Sequence, residues 1–197
     1  MKKIITIAIF FSLLFATKGY SQESYMSVNY GVSFTSGDMN DFISKVSWRG
    51  GLIEYRYAVN DNLFVGVDVG WYVFYEKKNY DTYTSGVETV SGVQYRYQNE
   101  VPILVSAEYF ISAFNSVKPY VGFGIGTMYS ERSIDMGMYR LKENPWHFAI
   151  KPEIGVLWEM SYSTALKVAG KYYNGFKAGD LDNQGYFSIS VGFAFKL

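Results

Sequence analysis

The chain has 197 residues with 18 basic and 18 acidic side chains, one histidine and no cysteine, and 19 % of it is aromatic beside 19 glycines and 4 prolines. Balanced charge excludes the concentrated basic face that nucleic acid requires, and the missing cysteine excludes disulfides, thiol chemistry and cysteine-based metal sites. Aromatics spread evenly among Gly, Ser and charged residues suit a surface that meets lipid with girdles at both interfaces.

Met1 to Ser21 reads as a cleaved secretory signal peptide. Lys2 and Lys3 form the positive start, Ile4 to Ala16 an apolar stretch broken only by Thr6 and Ser12, and Gly19-Tyr20-Ser21 the small-x-small cleavage pattern. The apolar run of about 13 residues is short of the roughly 20 that a spanning helix needs. No Cys follows it to carry a lipoprotein anchor. The mature chain then begins at Gln22 or Glu23; losing Lys2, Lys3 and Lys18 leaves 15 basic against 18 acidic residues, a net charge of −3.

From there the hydrophobic period is close to two, in eight segments. The first, Tyr25 to Thr35, puts Met26, Val28, Tyr30, Val32 and Phe34 on one face and Ser27, Asn29, Gly31 and Ser33 on the other. The second, Trp48 to Val59, sets Ile53, Tyr55, Tyr57 and Val59 against Glu54, Arg56 and Ala58. The third, Leu63 to Tyr75, sets Val65, Val67, Val69, Trp71 and Val73 against Gly66, Asp68 and Gly70. The fourth, Gln94 to Tyr109, sets Val101, Ile103, Val105, Ala107 and Tyr109 against Arg96, Gln98, Glu100, Leu104, Ser106 and Glu108. Pro102 falls on its inward set and cannot donate to a ladder, which predicts a bulge or local irregularity.

The fifth segment, Lys118 to Ser130, alternates Val121, Phe123 and Ile125 with Gly122, Gly124 and Gly126. The sixth, Trp146 to Glu159, sets Phe148, Ile150, Ile154, Val156 and Trp158 against His147, Lys151, Glu153 and Glu159. In the seventh, Thr164 to Tyr173, Leu166, Val168 and Tyr172 oppose Lys167, Ala169 and Lys171. The eighth is the cleanest: Phe187, Ile189, Val191, Phe193, Phe195 and Leu197 against Ser188, Ser190, Gly192, Ala194 and Lys196.

The connections alternate. Those at Asn60–Asn62, Ser112–Val117 and Met160–Ser163 are short; those at Ser36–Ser47, Glu76–Ser91, Glu131–Pro145 and Asn174–Gln184 are long and polar. Short periplasmic turns and long outer loops are the habit of outer-membrane barrels. One face holds charges of both signs and the other almost none, the reverse of a soluble barrel. In hydrocarbon every backbone N–H and C=O must be satisfied internally, so such a sheet has to close. The expectation is an all-β, closed eight-stranded antiparallel transmembrane β-barrel, an up-and-down meander over residues 22–197 behind the leader, integral to the outer membrane and monomeric.

Eleven charges fall on the predicted lumen face: Glu54, Arg56, Asp68, Arg96, Glu100, Glu108, Lys151, Glu153, Glu159, Lys167 and Lys171. Eight strands leave an interior just wide enough for side chains to fill, so these charges are expected to neutralise each other in a plug. A polar pathway for small solutes is the alternative. His147 stands alone, without a serine at near spacing on its strand. Its candidate companions for lipid-modifying chemistry, Ser130 or Ser133 with Glu131 or Glu143, lie in the adjoining connection, and a rim histidine bonded to a neighbour is the favoured reading. No metal or other cofactor is expected.

The final residues, Ser190-Val191-Gly192-Phe193-Ala194-Phe195-Lys196-Leu197, resemble the C-terminal assembly signal of outer-membrane barrels, matched by Ser190, Gly192, Phe195 and Leu197, with Leu197 in place of the usual Phe. Asn99-Glu100-Val101-Pro102-Ile103-Leu104, Lys118-Pro119-Tyr120-Val121-Gly122-Phe123-Gly124-Ile125-Gly126 and Lys151-Pro152-Glu153-Ile154-Gly155 resemble the small porin-like outer-membrane β-barrel family common in Bacteroidetes, which are Gram-negative. The resemblance implies folding by the barrel-assembly machinery and contact with outer-membrane lipid, and it implies no particular activity. The function expected is a non-enzymatic structural or surface-interaction role, with an extracellular ligand reached through the long loops. A narrow channel comes second and a lipid-modifying enzyme third.

Overall fold

The structure, a computed structural model, describes residues 23–85, 88–111, 116–137, 139–179 and 181–197. The leader expected at Met1 to Ser21 and most of the turn expected at Ser112–Val117 lie outside these residues. The elements are β1 (Ser24–Ser36), α1 (Asp38–Phe42), β2 (Ser47–Ala58), β3 (Leu63–Ser85), β4 (Glu88–Phe110), β5 (Val117–Met136), β6 (Tyr139–Glu143), β7 (Trp146–Glu159), β8 (Thr164–Gly175) and β9 (Gln184–Lys196). Every pairing is antiparallel. β4 pairs with β5 and β1 with β9, so eight strands close on themselves, and β6 hangs on β5 outside the ring. No described helix is long and apolar enough to cross a membrane.

The alternation read from the sequence becomes an inside and an outside. On β9 Phe187, Ile189, Val191, Phe193 and Phe195 are 40–51 % exposed, while Ser188, Ser190, Gly192 and Ala194 are buried. On β2 Glu54 and Arg56 are fully buried between exposed Ile53, Tyr55 and Tyr57. Water would favour the opposite arrangement; a hydrocarbon surround with a polar interior favours this one. The seam between β1 and β9 is in unbroken register from Tyr25↔Lys196 to Ser36↔Gly185. It is tightest at Gly192, where a Cβ would stand 2.1 Å from the Val28 carbonyl oxygen.

Two expectations are sharpened. Of the bulge or local irregularity expected at Pro102 the structure has the irregularity alone: the register is the same on both sides of it, and the ladder to β3 skips Gly70 and Trp71. A Cβ on Gly70 would lie 3.1 Å from the Pro102 ring, so the glycine makes room for a residue that cannot donate. Second, the connections read as loops at Glu76–Ser91 and Glu131–Pro145 are largely strand. β3 and β4 each run for 23 residues and stay paired out to Ser85↔Glu88, with one register slip between Lys78 and Asp81. Tyr80, Thr82, Tyr83, Thr84 and Thr89 are strand formers whose polarity disguised them. β5 likewise continues to Met136 and turns back through β6.

A tilted strand crosses hydrocarbon in about 9–11 residues, so these extensions project well beyond the ring. They form a sheet in the order β3, β4, β5, β6. Among the described residues its β3 edge has no strand partner beyond Tyr72, the last residue matched to β2, and its β6 edge has no strand partner. The connection at Ser36–Ser47 carries α1, which follows Gly37 (φ 56°) and buries Met39, Phe42 and the adjoining Ile43.

Val191 lies midway along the outward row of β9. Val191→Arg is expected to destabilise the barrel by about 2–4 kcal/mol, and Phe195→Arg at the row's end by ~0–1 kcal/mol. Urea titration of the protein in lipid vesicles, followed by tryptophan fluorescence, gives both numbers.

Candidate functional site

The period of two sends one side chain in every pair into the lumen, and there the structure gathers eight of the eleven predicted charges. Glu54, Asp68, Glu108 and Glu153 meet Arg56, Lys151, Lys167 and Lys171, four of each sign, all almost fully buried. Glu54 accepts from Lys171 at 2.5 Å, Lys167 at 2.7 Å and Ser27 at 2.8 Å. Lys167 also reaches Glu108 at 2.8 Å. Arg56 donates to the same carboxylate through Nε at 2.8 Å and pairs with Asp68. Asp68 accepts from Ser106 at 2.7 Å and from Lys151, which also pairs with Glu153. The Tyr25 hydroxyl donates to the second oxygen of Glu108.

Strands that carry no charge here provide the space. A Cβ on Gly124 would touch the Lys151 stem at 3.3 Å, and one on Gly122 would stand 2.7 Å from Glu153. Oxygens of Glu54, Glu108 and Glu153 lie within 4.8 Å of one another, close enough to suggest a metal site. Lys167 and Lys151 already occupy the positions between them, so the donor set is spent on ammonium groups and does not suit a metal.

Aromatic layers close the lumen on both sides of the ions. At the end bearing the short turns, Tyr25, Phe64, Phe110 and Tyr120 pack with ring centroids 5.2–5.6 Å apart, backed by Leu157, Ala165, Ala169 and Ala194. Toward the projecting sheet stand Tyr72, Phe74, Tyr173 and Tyr186, with the Tyr72 and Tyr173 hydroxyls 3.0 Å apart. Met39, Phe42 and Ile43 cap this layer. These tyrosines were not picked out from the sequence, although strand parity places Tyr72 beyond Asp68 and Gly70, and Tyr173 beyond Lys171, on the same inward face.

The other three predicted charges stand apart. Glu100 accepts from Ser130 and Gln98, both at 2.6 Å, and Gln98 reaches Gln184. Arg96 donates to the Phe42 carbonyl at 2.8 Å, and Arg132 lies 4.1 Å from the Phe42 ring centroid, so two guanidinium groups hold the cap. Glu159 is a rim group, paired with Lys196 at 2.9 Å and Lys118 at 3.0 Å. In the connection between β8 and β9 the Lys177 ammonium, 2.8 Å from exposed Asp182, holds that carboxyl below its usual range. His147 is buried with Nδ1 2.7 Å from the Phe176 carbonyl oxygen. Ser130 serves Glu100 instead, and among the described residues no nucleophile is paired with the imidazole. Of the terminal pattern, Ser190 and Gly192 face the lumen, while Phe195 and Leu197 face outward.

The sequence profile of the outer membrane protein beta-barrel domain matches residues 5–195. No curated protein matches the chain. Among solved structures it is similar to Neisserial surface protein A (TM-score 0.57, 17 % identity, 91 % of this chain and 100 % of that one). It is also similar to Ail, the attachment invasion locus protein of Yersinia pestis, in complex with the heparin analogue sucrose octasulfate (0.56, 14 %, 90 % and 100 %). A third is the outer membrane protein OprG from Pseudomonas aeruginosa (0.53, 12 %, 91 % and 98 %). Identities this low establish a shared fold.

Glu54 is the anion with the most cationic neighbours, so Glu54→Gln leaves buried ammonium groups short of a partner. The expected loss is about 3–5 kcal/mol. Adding Lys171→Met should restore part of it, a non-additivity that marks one coupled network. Equilibrium unfolding of both single variants and the double variant measures the coupling.

Proposed function

The chain belongs to the outer membrane protein beta-barrel domain family and is an integral outer-membrane barrel, and from that premise we propose that it is a plugged, non-enzymatic anchor that presents a β-sheet at the cell surface for interaction. One observation carries this reading: the lumen is filled by ion pairs between two aromatic layers, while β3, β4, β5 and β6 continue as a sheet beyond the ring. Conduction would need a continuous wet path. Here the carboxylates and ammonium groups of the interior are spent on one another, and Tyr72, Tyr173 and Tyr186 stack across the outer side.

The projecting sheet has what a binding element needs. An unpaired strand edge offers a row of N–H and C=O groups to an extended partner segment, with side chains at alternate positions to select it. Among the described residues the β3 edge has no neighbouring strand beyond Tyr72, and exposed Lys77, Tyr80 and Asp81 lie along it. Charged residues in such a row discourage indiscriminate pairing and leave room for a selected partner.

Two measurements test the proposal. The purified protein in a planar bilayer should give no single-channel steps; reproducible steps would transfer the assignment to a narrow channel. Replacing residues 80–92 by an Asn-Gly turn should leave a folded, heat-modifiable barrel that has lost binding to extracellular-matrix proteins and glycans on an array. Binding equal to that of the intact chain would show that the projecting sheet is not the interaction element.

A further inference from the structure

On the lipid-facing wall, the outer end of β2 departs from simple alternation. Its pairing with β1 slips between Gly31↔Gly50 and Ser33↔Ser47, two steps along β1 against three along β2. The extra residue is a β-bulge, and it leaves Trp48 and Arg49 both exposed instead of one in and one out. The Tyr30 hydroxyl donates to the Trp48 carbonyl. Ser47 Oγ accepts from the Arg49 N–H at 3.2 Å and donates to the Val73 carbonyl at 2.5 Å. The bulge is thereby tied to both neighbouring strands. No carboxylate of the described residues lies within 4.0 Å of the Arg49 guanidinium.

Two residues further along the wall, Gly51 faces outward. A Cβ there would meet nothing nearer than the Asn29 carbonyl oxygen at 4.0 Å, whereas Gly170, also outward, is covered by Phe187 at 3.3 Å. Gly51 floors an apolar hollow of about 600 Å³ bounded by Val28, Ile53, Val69 and Trp71. A second hollow of about 410 Å³ shares Val28 and Gly51 and extends to Val191 and Phe193. Trp48 and Trp71 are 67 % and 64 % exposed, and tryptophans on a barrel wall mark the interface between headgroups and hydrocarbon. The wall thus sets an unpaired cation about 7 Å, two strand residues, from an apolar hollow.

We infer that this wall seats one phosphorylated glycolipid of the outer leaflet, lipid A, with a phosphate on Arg49, a sugar face against Trp48 and an acyl chain lying over Gly51. Any acyl chain fits an apolar hollow; the guanidinium selects phosphate. The position beside the projecting sheet, away from the short turns, selects the outer-leaflet glycolipid over other phospholipids. The assignment rests on the barrel's place in the outer membrane and is independent of whether the projecting sheet binds a partner.

The full chain in phosphatidylcholine nanodiscs doped with lipid A, released and weighed by native mass spectrometry, tests it. The wild type should retain one lipid A, and occupancy should fall roughly tenfold with dephosphorylated lipid A or in Arg49→Gln, the loss of one charge-assisted contact. Gly51→Leu should fill the hollow and lower occupancy for phosphorylated lipid A in a barrel that still runs as folded on a gel. Equal retention of dephosphorylated lipid A or of phosphatidylglycerol by the wild type overturns the assignment without reference to any variant. So does unchanged retention in Arg49→Gln.

Discussion

Glu54 sits between Lys167, Lys171 and Arg56 with no access to water, and the rest of the barrel is arranged around that fact. A charge taken out of water loses hydration worth several kcal/mol and regains it only from well-placed opposite charges and hydrogen bonds. Eight strands give a tube narrow enough to hold such partners in contact. The four anions and four cations come from β2, β3, β4, β7 and β8, and β1 adds Tyr25, Ser27 and Asn29 as hydrogen-bonding partners. Apart from Glu54 with Arg56 on β2 and Lys151 with Glu153 on β7, these ion pairs join different strands, so the network is complete only when the ring is closed.

Closure also serves the backbone. In hydrocarbon an unpaired N–H or C=O has nothing to bond to, and the seam between β1 and β9 removes the last free edge. Gly192 permits the close approach there, and inward glycines on β5 permit the long side chains of β7 to cross the lumen. Glycines therefore serve both, Gly192 at the seam and Gly122 and Gly124 beside the ion network.

On the proposed reading of a plugged anchor, function falls to the outside of the molecule. That leaves the projecting sheet, whose outer edges have no strand partner among the described residues, and the lipid-facing wall. The wall is mostly regular, because lipid asks only for apolar side chains. Its departure from regularity at Trp48, Arg49 and Gly51 is therefore informative: a bulge, a cation with no carboxylate partner among the described residues and a missing side chain coincide where uniform apolar alternation would have sufficed.

The sequence by itself determined which face of each strand meets lipid, because a period of two leaves no freedom once one face is apolar: Val191 and Ile53 had to point out, Glu54 and Lys167 in. It determined the number of strands, the closure that backbone physics demands, and the eleven candidates for the interior. It did not determine where the strands end in Glu76–Ser91 and Glu131–Pro145, since polar strand formers outside a membrane carry no apolar alternation to reveal them. Nor did it show which charges meet. Glu54 and Lys171 are 117 residues apart in sequence, and Glu100, Arg96 and Glu159 share the inward parity yet sit at other heights. Only the tertiary structure decided that, because height in a barrel is set by the register between strands, and register depends on pairings that no one strand encodes.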